Sequence, residues 1–431
     1  MREDFLHYLW RLQRYDRSDL RTTDNHDLEI VHQGTHNHDG GPDFLNARIR
    51  IGETLWAGNV ELHLRSSDWL RHGHQHDAAY QNVILHVVLD ADQIIEGPSG
   101  QPIPTLELRQ RVPTGILSIY QKLVHNEHWI PCQHHFHHVA EFTRNLWLDR
   151  LLVERLERKT EDIHSALEAE QQNWEKVFYH RLACNFGMKV NAEPFGRLAR
   201  SLPLSVLAKH KNNLFQVQAL LFGQAGMLER DFADDFPIAL QKEYRFLRAK
   251  FHLQPIEAAA WKFMRMRPGN FPTIRIAQFA RLIQQSSRLF GKVLDAEDRD
   301  AIHQLFRVEL DSYWRERYIF DKPSDPRSKT LGKSAVDLII INTIVPFLFH
   351  YARVRGDETY RDRAMQLLET LPPEQNRIIR GWARLGVDAD SAYRTQALIE
   401  LKNEYCTPKR CTSCTIGNSI LSSEVRTEPT S

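Results

Sequence analysis

The stretch PDFLNARIRIGETLWAGNVELHLR, residues 42–65, decides the fold of the N-terminal part of this chain. In the predicted strand 56–65, apolar and polar side chains alternate over residues 60–65, which is typical of a strand with one buried face. A second strand-like run occupies residues 45–51, and a glycine marks the turn between the two runs. A hairpin of these strands would return Asp43 toward Glu61.

Three polar side chains are expected to converge in this hairpin. Glu61 and His63 share one face of their strand, with Cα atoms roughly 6–7 Å apart, because alternate residues point the same way. A cation held by two carboxylates can activate water and neutralise charge on a phosphate. We therefore predict a Mg²⁺ or Mn²⁺ site at Asp43 and Glu61, with His63 orienting the water or assisting proton transfer. The alternative is an ordinary amphipathic strand.

This arrangement resembles the PD-(D/E)XK superfamily of nucleases, which have the restriction-endonuclease-like fold. Asp43, which follows a proline, matches the PD element, and Glu61 with His63 matches the (D/E)XK element, with histidine at the lysine position. The resemblance covers about the first 125 residues, in which Lys122 is the single lysine. It implies metal-dependent hydrolysis of phosphodiester bonds in DNA or RNA.

Hydrophobic periodicity divides the chain into a strand-rich part and a helical part. We predict an α+β chain in which an N-terminal mixed α/β, restriction-endonuclease-like domain is followed by a large all-helical domain and a Cys-rich segment. The predicted parts are the nuclease-like domain (residues 1–125), the helical domain (126–400), the metal-binding segment (401–420) and a disordered tail (421–431).

The predicted elements have definite bounds. The predicted strands are residues 28–32, 45–51, 56–65, 83–90 and 105–109. The predicted helices are residues 3–14, 146–170, 174–184, 194–202, 214–223, 237–251, 274–290, 301–310, 335–354 and 360–371, with two more in 373–404.

Composition excludes several classes of protein. The chain has 431 residues, 42% hydrophobic and 26% charged, and a net charge of +1, as in a soluble globular protein without a global polycation. Residues 1–130 hold 18 acidic and 12 basic side chains and 12 of the 22 histidines, which suits a cation site or a solvated acidic surface. The longest apolar stretch, residues 336–349, is too short to cross a bilayer, and the N-terminus lacks a signal-peptide core. We expect a cytoplasmic bacterial protein with no membrane association.

Three of the five cysteines lie within nine residues, at Cys406, Cys411 and Cys414. With a fourth ligand they could hold Zn²⁺ or an iron–sulfur cluster in a structural role. Cys132, at the predicted domain junction, is the preferred fourth ligand, and the histidines at 134, 135, 137 and 138 are substitutes. The grouping resembles the iron–sulfur sites of some exonucleases of the same superfamily. Cys184 is expected to be a buried thiol, and the alternative for the trio is unliganded surface thiols.

Histidines next to the hairpin have two interpretations. In the run HGHQH, residues 72–76, His72 and His76 have the i, i+4 spacing of a metal pair on a helix, although a hydrogen-bonding role in a loop is the simpler expectation. His86 lies inside the predicted strand 83–90. We expect His86 to be a buried, hydrogen-bonded core residue.

A basic segment indicates a possible nucleic-acid surface. Residues 242–281 contain nine basic and two acidic side chains, enough local charge to bind a phosphate backbone. Trp261, Phe263 and Phe271 are interleaved and could stack on bases, or they could lie in the core beneath solvated helices. The residues predicted to bind nucleic acid are Arg245, Arg248, Lys262, Arg265, Arg267 and Arg275.

Nearly the whole chain also resembles an uncharacterised bacterial family, a domain of unknown function. The resemblance includes GPDF at 41–44, GNVELH at 58–63, NVILHVV at 82–88 and the CxxC pair at 411–414. It implies no activity, so three functions stay open. They are a metal-dependent nuclease acting on DNA or RNA, a nuclease-fold module that binds nucleic acid without catalysis, and a helical scaffold for protein partners.

Overall fold

The chain folds into two compact units in a computed structural model that describes residues 2–423. Unit 1 contains residues 2–150 and 399–423, and unit 2 contains Leu151–Leu398. The cysteine-rich segment is therefore part of the same unit as the N-terminal sheet. The disordered tail predicted over residues 421–431 is wrong for residues 421–423, which end a helix over Thr415–Ser423, and residues 424–431 lie outside the described residues.

Unit 1 is built on a mixed six-stranded sheet. Its strands are β1 (Leu28–His32), β2 (Thr35–His36), β3 (Phe44–Ile51), β4 (Thr54–Arg65), β5 (Val83–Asp90) and β6 (Thr105–Glu107). The order across the sheet is β1-β3-β4-β5-β6, and β2 pairs with the start of β3. Strand β3 is antiparallel to β1 and β4, whereas β5 is parallel to β4 and β6. The predicted hairpin and the mixed α/β character of this region are confirmed.

Helices make up most of the rest of the chain. In chain order they are α1 (Glu3–Leu12), α2 (Asp68–His72), α3 (Thr114–His125), α4 (Glu141–Ala169), α5 (Trp174–Phe186), α6 (Met188–Ser201), α7 (Leu204–His210), α8 (Leu214–Gln224), α9 (Asp235–Phe251), α10 (Pro272–Gln285), α11 (Leu289–Asp295), α12 (Arg299–Leu305), α13 (Ser312–Arg315), α14 (Lys333–Ile339), α15 (Val345–Arg355), α16 (Glu358–Thr370), α17 (Arg377–Arg384), α18 (Ala392–Glu400) and α19 (Thr415–Ser423).

Helix α1 packs against strand β4 and contacts helix α3. Its ends suit a helix, because acidic residues lie in its first turn and Arg11 lies in its last turn, where each charge interacts favourably with the helix dipole. Phe5 is fully buried and stacks on Tyr120 of α3, with ring centroids 4.2 Å apart. This packing holds α1 in place beside the polar face of the hairpin.

Three predictions about the helical region are wrong in detail. The helix predicted over residues 274–290 is two helices, because Ser286 is extended after α10 and Arg288 has a left-handed conformation (φ 53°) before α11, and a right-handed helix cannot continue through such residues. The helix predicted over residues 301–310 ends at Leu305. The region is also not all-helical, since unit 2 contains a two-stranded ribbon of β7 (Arg317–Ile319) and β8 (Lys322–Pro323).

The most apolar helical segment of unit 2 runs without a break through residues 333–355. Its middle, Ile340–Ile344, is a π-helical turn between α14 and α15. Within the described chain this is the one segment long and apolar enough to cross a membrane, and 78% of its apolar window is buried in the protein. Such burial agrees with the prediction of a core helix.

Two leucines of strand β4 test the burial of the hairpin. Leu62 is 1% exposed and Leu55 is 50% exposed. Leu62→Ala should lower the free energy of opening of the sheet by ~2–5 kcal/mol, because it leaves a cavity in a packed core. Leu55→Ala should change it by less than about 1 kcal/mol. Hydrogen exchange of the β4 amides measures both values, and equal effects would contradict the burial described here.

Candidate functional site

Two side chains join the start of β3 to the middle of β4. The backbone N–H of Asp43 donates to Glu61 Oε2 (3.0 Å), and the N–H of Leu62 donates to Asp43 Oδ2 (2.9 Å). Each carboxylate therefore accepts a hydrogen bond from the backbone beside the other. The structure brings Asp43 and Glu61 together at one point of the sheet.

A bulge in β3 accompanies this exchange. The register of β3 against β4 shifts between Phe44 and Ala47. Inside the shift, Asn46 has a left-handed conformation (φ 58°), and its N–H donates to the side chain of Asn59 (3.2 Å). Bulges are common beside functional sites, where they redirect a side chain or end a run of strand pairing. Here the bulge separates Asp43 from the regular part of the strand.

The second oxygen of Glu61 faces two imidazoles. Glu61 Oε1 lies 3.6 Å from His63 Nε2 and 3.4 Å from His74 Nε2. Glu61 is 5% exposed and His63 is 1% exposed. Glu61 and His63 therefore point to the same side of β4, as their alternation with apolar residues predicts.

A left-handed glycine brings two more histidines to this point. Helix α2 ends at His72, Gly73 follows with φ 78°, and the next turn begins with His74. A positive φ is easily adopted only by glycine. His72 Nδ1 lies 3.1 Å from His63 Nε2, and the ligand atoms of His63, His72 and His74 all lie within 4.8 Å of one another. The helical His72–His76 pair is not formed, because the helix ends at His72 and His76 is exposed.

His86 supports this group from the neighbouring strand. It is fully buried in β5, and its Nε2 lies 2.8 Å from His63 Nδ1. The prediction of a buried, hydrogen-bonded core histidine is confirmed. Its hydrogen-bond partner is His63 of the candidate site. The polar and apolar pattern of one strand does not show which residue of another strand it contacts.

Helix α1 adds two residues that the sequence analysis missed. His7 Nε2 lies 3.3 Å from Asp43 Oδ2, and Glu3 interacts electrostatically with His72 and Asp43. Glu3 and His7 are four residues apart and therefore share one face of the helix. The sequence shows this four-residue spacing, but the spacing does not show which element of the fold the helix face contacts.

Burial controls the protonation of the site. Burial, followed by the neighbouring imidazoles of His86 and His74, lowers the pKa of His63 to about 2. Burial likewise lowers the pKa of His86 to about 3 and raises the pKa of Glu61. For His7, burial lowers the pKa, but the carboxylates of Asp43, Glu3 and Glu61 together outweigh it and raise the pKa above its usual value. His63 and His86 are thus neutral near pH 7 and each offers a lone pair.

One comparison with known proteins decides the family. The sequence model of a family described as a protein of unknown function (DUF2851) matches residues 3–377. The chain belongs to the DUF2851 family. The match includes the hairpin and the histidine turn and ends before the three C-terminal cysteines. No curated protein and no solved structure matches the chain.

The four cysteines singled out in this DUF2851 chain are grouped in unit 1. All are buried free thiols, and the charges of Cys132, Cys406, Cys411 and Cys414 would interact with one another. The alternative of surface thiols is therefore wrong. The four histidines that follow Cys132 are exposed. Cys184 lies in α5 as expected, but it is only partly buried.

The spacing of the cysteine group differs from that of the histidine group. Burial, followed by the proximity of Cys414, raises the pKa of Cys411 to about 12. Burial raises the pKa of Cys414 to about 11, although the N–H groups of Ile416 and Gly417 favour its thiolate. Among the described residues, the ligand atoms of the histidine trio lie within 4.8 Å of one another, and no three of the cysteine sulfur atoms do.

The cysteine segment contacts α1 and the end of α3. Arg11 donates to the carbonyl of Thr412 (3.2 Å), and the Thr412 hydroxyl donates to Asp4 (3.4 Å). Lys409 Nζ donates to the carbonyls of Val124 (2.7 Å) and Asn126 (2.8 Å) where α3 ends. The C-terminal segment is thus bound to the helix that carries His7.

The basic segment of unit 2 is only partly a surface. Five of the predicted nucleic-acid residues are exposed, namely Arg245, Arg248, Lys262, Arg265 and Arg267. Arg275 is 6% exposed, and its guanidinium donates to Asn270 (2.6 Å), so it does not belong to an exposed surface. Trp261 is also buried and donates to the carbonyl of Ala225 (2.8 Å), which prevents it from stacking on bases.

Gly417 is required by the close packing of the cysteine segment. A Cβ atom at Gly417 would lie 2.1 Å from the carbonyl oxygen of Cys411, whereas a Cβ atom at Gly115 of α3 meets nothing within 4 Å. Gly417→Ala should destabilise the C-terminal segment by ~1–3 kcal/mol, and Gly115→Ala should be neutral or stabilising. Hydrogen exchange of the α19 amides measures the effect. Unchanged protection in Gly417→Ala would show that the segment is not packed in this way.

Proposed function

We propose that unit 1 of this DUF2851 chain is a metal-dependent hydrolase of phosphodiester bonds in DNA or RNA. The observation that carries the proposal is the meeting of the Asp43 and Glu61 carboxylates beside a group of imidazoles. The mixed sheet, with Asp43 before β3 and Glu61 within β4, is compatible with the restriction-endonuclease-like fold that the motif implies.

The two carboxylates suit a hard divalent ion such as Mg²⁺ or Mn²⁺. An ionised carboxylate has about four acceptor positions. One backbone N–H occupies a position on Asp43 and another occupies a position on Glu61, so lone pairs remain on both. A bound ion would activate a water and neutralise the charge on a phosphate.

His7 is better placed than His63 to contact a substrate. The side chains of His7 and Asp43 are 23% and 22% exposed, whereas that of His63 is 2% exposed. The His7–Asp43 pair is therefore more open to solvent than His63, with Nε2 of His7 buried against Asp43 and the rest of the ring partly exposed. We assign the orientation of the water to His7 and a supporting role inside the site to His63.

The exposed basic side chains of unit 2 favour nucleic acid as the substrate class. Arg245 and Arg248 lie on the exposed side of α9, where they can bind phosphates without reading a sequence. The same observation supports the second candidate, a module that binds nucleic acid without cleaving it. A cleavage assay separates the two candidates, because both bind but only the first consumes substrate.

Isosteric variants of the two carboxylates test the hydrolase proposal. Asp43→Asn and Glu61→Gln keep the hydrogen bonds to the backbone but remove the negative charges that hold a cation. Each should lower Mg²⁺- or Mn²⁺-dependent cleavage of labelled DNA or RNA about 100-fold or more. Glu53→Gln, in the exposed turn between β3 and β4, is the matched control and should retain full activity.

The proposal fails if the wild-type protein cleaves neither single-stranded nor double-stranded DNA nor RNA with either ion. It also fails if Glu61→Gln cleaves as fast as the control. In the first case, the binding of nucleic acid is measured by gel shift. Binding that weakens with added salt and with reversal of the charges at Arg245 and Arg248 would support the second candidate, a module that binds nucleic acid without cleaving it.

We also propose that Cys132, Cys406, Cys411 and Cys414 hold a structural metal centre. Four buried free thiols in one place are typical of a metal site. A single Zn²⁺ ion would bring the sulfur atoms to about 3.8 Å from one another, given Zn–S distances of about 2.3 Å. Either ion set suits four thiolates: one Zn²⁺ would bind all four, whereas in an iron–sulfur cluster the thiolates bind separate iron atoms.

Metal analysis of two serine variants tests this centre. Cys132→Ser should lose most of its bound iron or zinc, whereas Cys184→Ser, outside the group, should keep it. Anaerobic purification and elemental analysis measure the content. Broad visible absorption that is bleached by a reductant identifies an iron–sulfur cluster, and a colourless protein with zinc identifies the other alternative. Wild-type metal content in Cys132→Ser would overturn the assignment.

A further inference from the structure

We infer that Glu61, His63, His72 and His74 form a second, imidazole-rich site for a divalent transition metal such as Zn²⁺. The site is distinct from the carboxylate site for Mg²⁺ or Mn²⁺ but shares Glu61 with it. The inference deepens the proposed function. Only the role assigned to the metal rests on that function, whereas the binding of the metal does not. The binding itself is argued and tested without a substrate.

The distances match those between ligands of one ion. In a tetrahedral site with metal–nitrogen distances of about 2.1 Å, neighbouring ligand atoms are about 3.4 Å apart. His63 Nε2 lies 3.1 Å from His72 Nδ1. Glu61 Oε1 lies 3.6 Å from His63 Nε2 and 3.4 Å from His74 Nε2. Three of the distances between donor atoms are thus already close to the value expected for ligands of one tetrahedral ion.

The donor atoms of His63 and His72 face each other at 3.1 Å, and that of His74 is available for coordination. His74 Nε2 is buried and has no hydrogen-bond partner among the described residues. Its 3.4 Å approach to Glu61 Oε1 is longer than a good hydrogen bond to a carboxylate. A buried nitrogen without a partner is costly, and a shared cation would satisfy both atoms.

The surrounding residues hold the imidazoles in ligand orientation. The other nitrogen of His63 lies 2.8 Å from Nε2 of the fully buried His86. The ring of His74 stacks on Tyr80 at 3.8 Å and meets the edge of Trp69 at 5.3 Å. Such contacts from outside the ligand set fix ring orientation and commonly alter metal affinity 10–100-fold.

The donor set selects a different metal from the carboxylate site. Imidazole suits Zn²⁺, Fe²⁺, Ni²⁺ and Cu²⁺, whereas Mg²⁺ takes oxygen ligands. Glu61 serves both sites, since Oε2 faces Asp43 and Oε1 faces the histidines. Three imidazoles and one carboxylate oxygen complete a tetrahedron, which is typical of a structural ion. This ion would hold the His72–His74 turn against β4 and orient Glu61 for the first ion.

Cobalt binding tests the second site. The full-length protein, stripped of divalent ions, is titrated with Co²⁺ alone, because tetrahedral Co²⁺ absorbs visible light. His72→Ala and His74→Ala should each lower the affinity of one bound Co²⁺ at least about tenfold. His76→Ala, in the same turn but exposed, is the matched control and should titrate like the wild type. The cysteine group is common to all four proteins and cancels in difference spectra.

Identical Co²⁺ stoichiometry and affinity in the wild type, His72→Ala and His74→Ala would overturn the inference. His72 is exposed, so its variant should fold even if loss of the more buried His74 ring disturbs the turn, and circular dichroism checks both. Because no substrate is present, loss of this site leaves the hydrolase proposal standing. An intact site in a protein that cleaves nothing would refute the hydrolase proposal alone.

Discussion

The exchange of hydrogen bonds between Asp43 and Glu61 is the constraint on which the rest of the site depends. Each carboxylate accepts an N–H of the strand that carries the other, at 3.0 and 2.9 Å, so neither can turn away without leaving a backbone donor unsatisfied. The bulge around Asn46 gives β3 the geometry for this exchange. The lone pairs that remain on the two carboxylates are suited to binding a cation.

Helix α1 links the two polar centres of unit 1. His7 lies beside Asp43, and Asp4 and Arg11, on the neighbouring turns of the same helix, contact Thr412 in the cysteine segment. A metal held by the cysteines would therefore stabilise the helix that presents His7. The C-terminal segment thus contacts the helix beside the candidate site, although Thr412 and Asp4 are 408 positions apart in the sequence.

The hairpin could be predicted from the sequence because alternation of polar and apolar residues determines which strand face is buried. The approach of Asp43 to Glu61 followed from the same pattern. The histidine group could not be predicted, since it depends on a left-handed turn at Gly73 and on contacts across two parallel strands. The contact of His7 with Asp43 could not be predicted either, because helical spacing shows which residues share a face of α1 but not which strand that face contacts. The predicted helix over 274–290 was wrong because apolar periodicity continues past the left-handed Arg288.

Anomalous diffraction from a crystal grown with Mn²⁺ tests the central claim most directly. A bound Mn²⁺ ion should give an anomalous peak about 2.0–2.4 Å from carboxylate oxygens of both Asp43 and Glu61. The ordinary electron density of the same crystal would show the geometry of the two backbone hydrogen bonds that hold these side chains. A crystal in which Asp43 and Glu61 keep this geometry but bind no ion, even at millimolar Mn²⁺, would contradict the account.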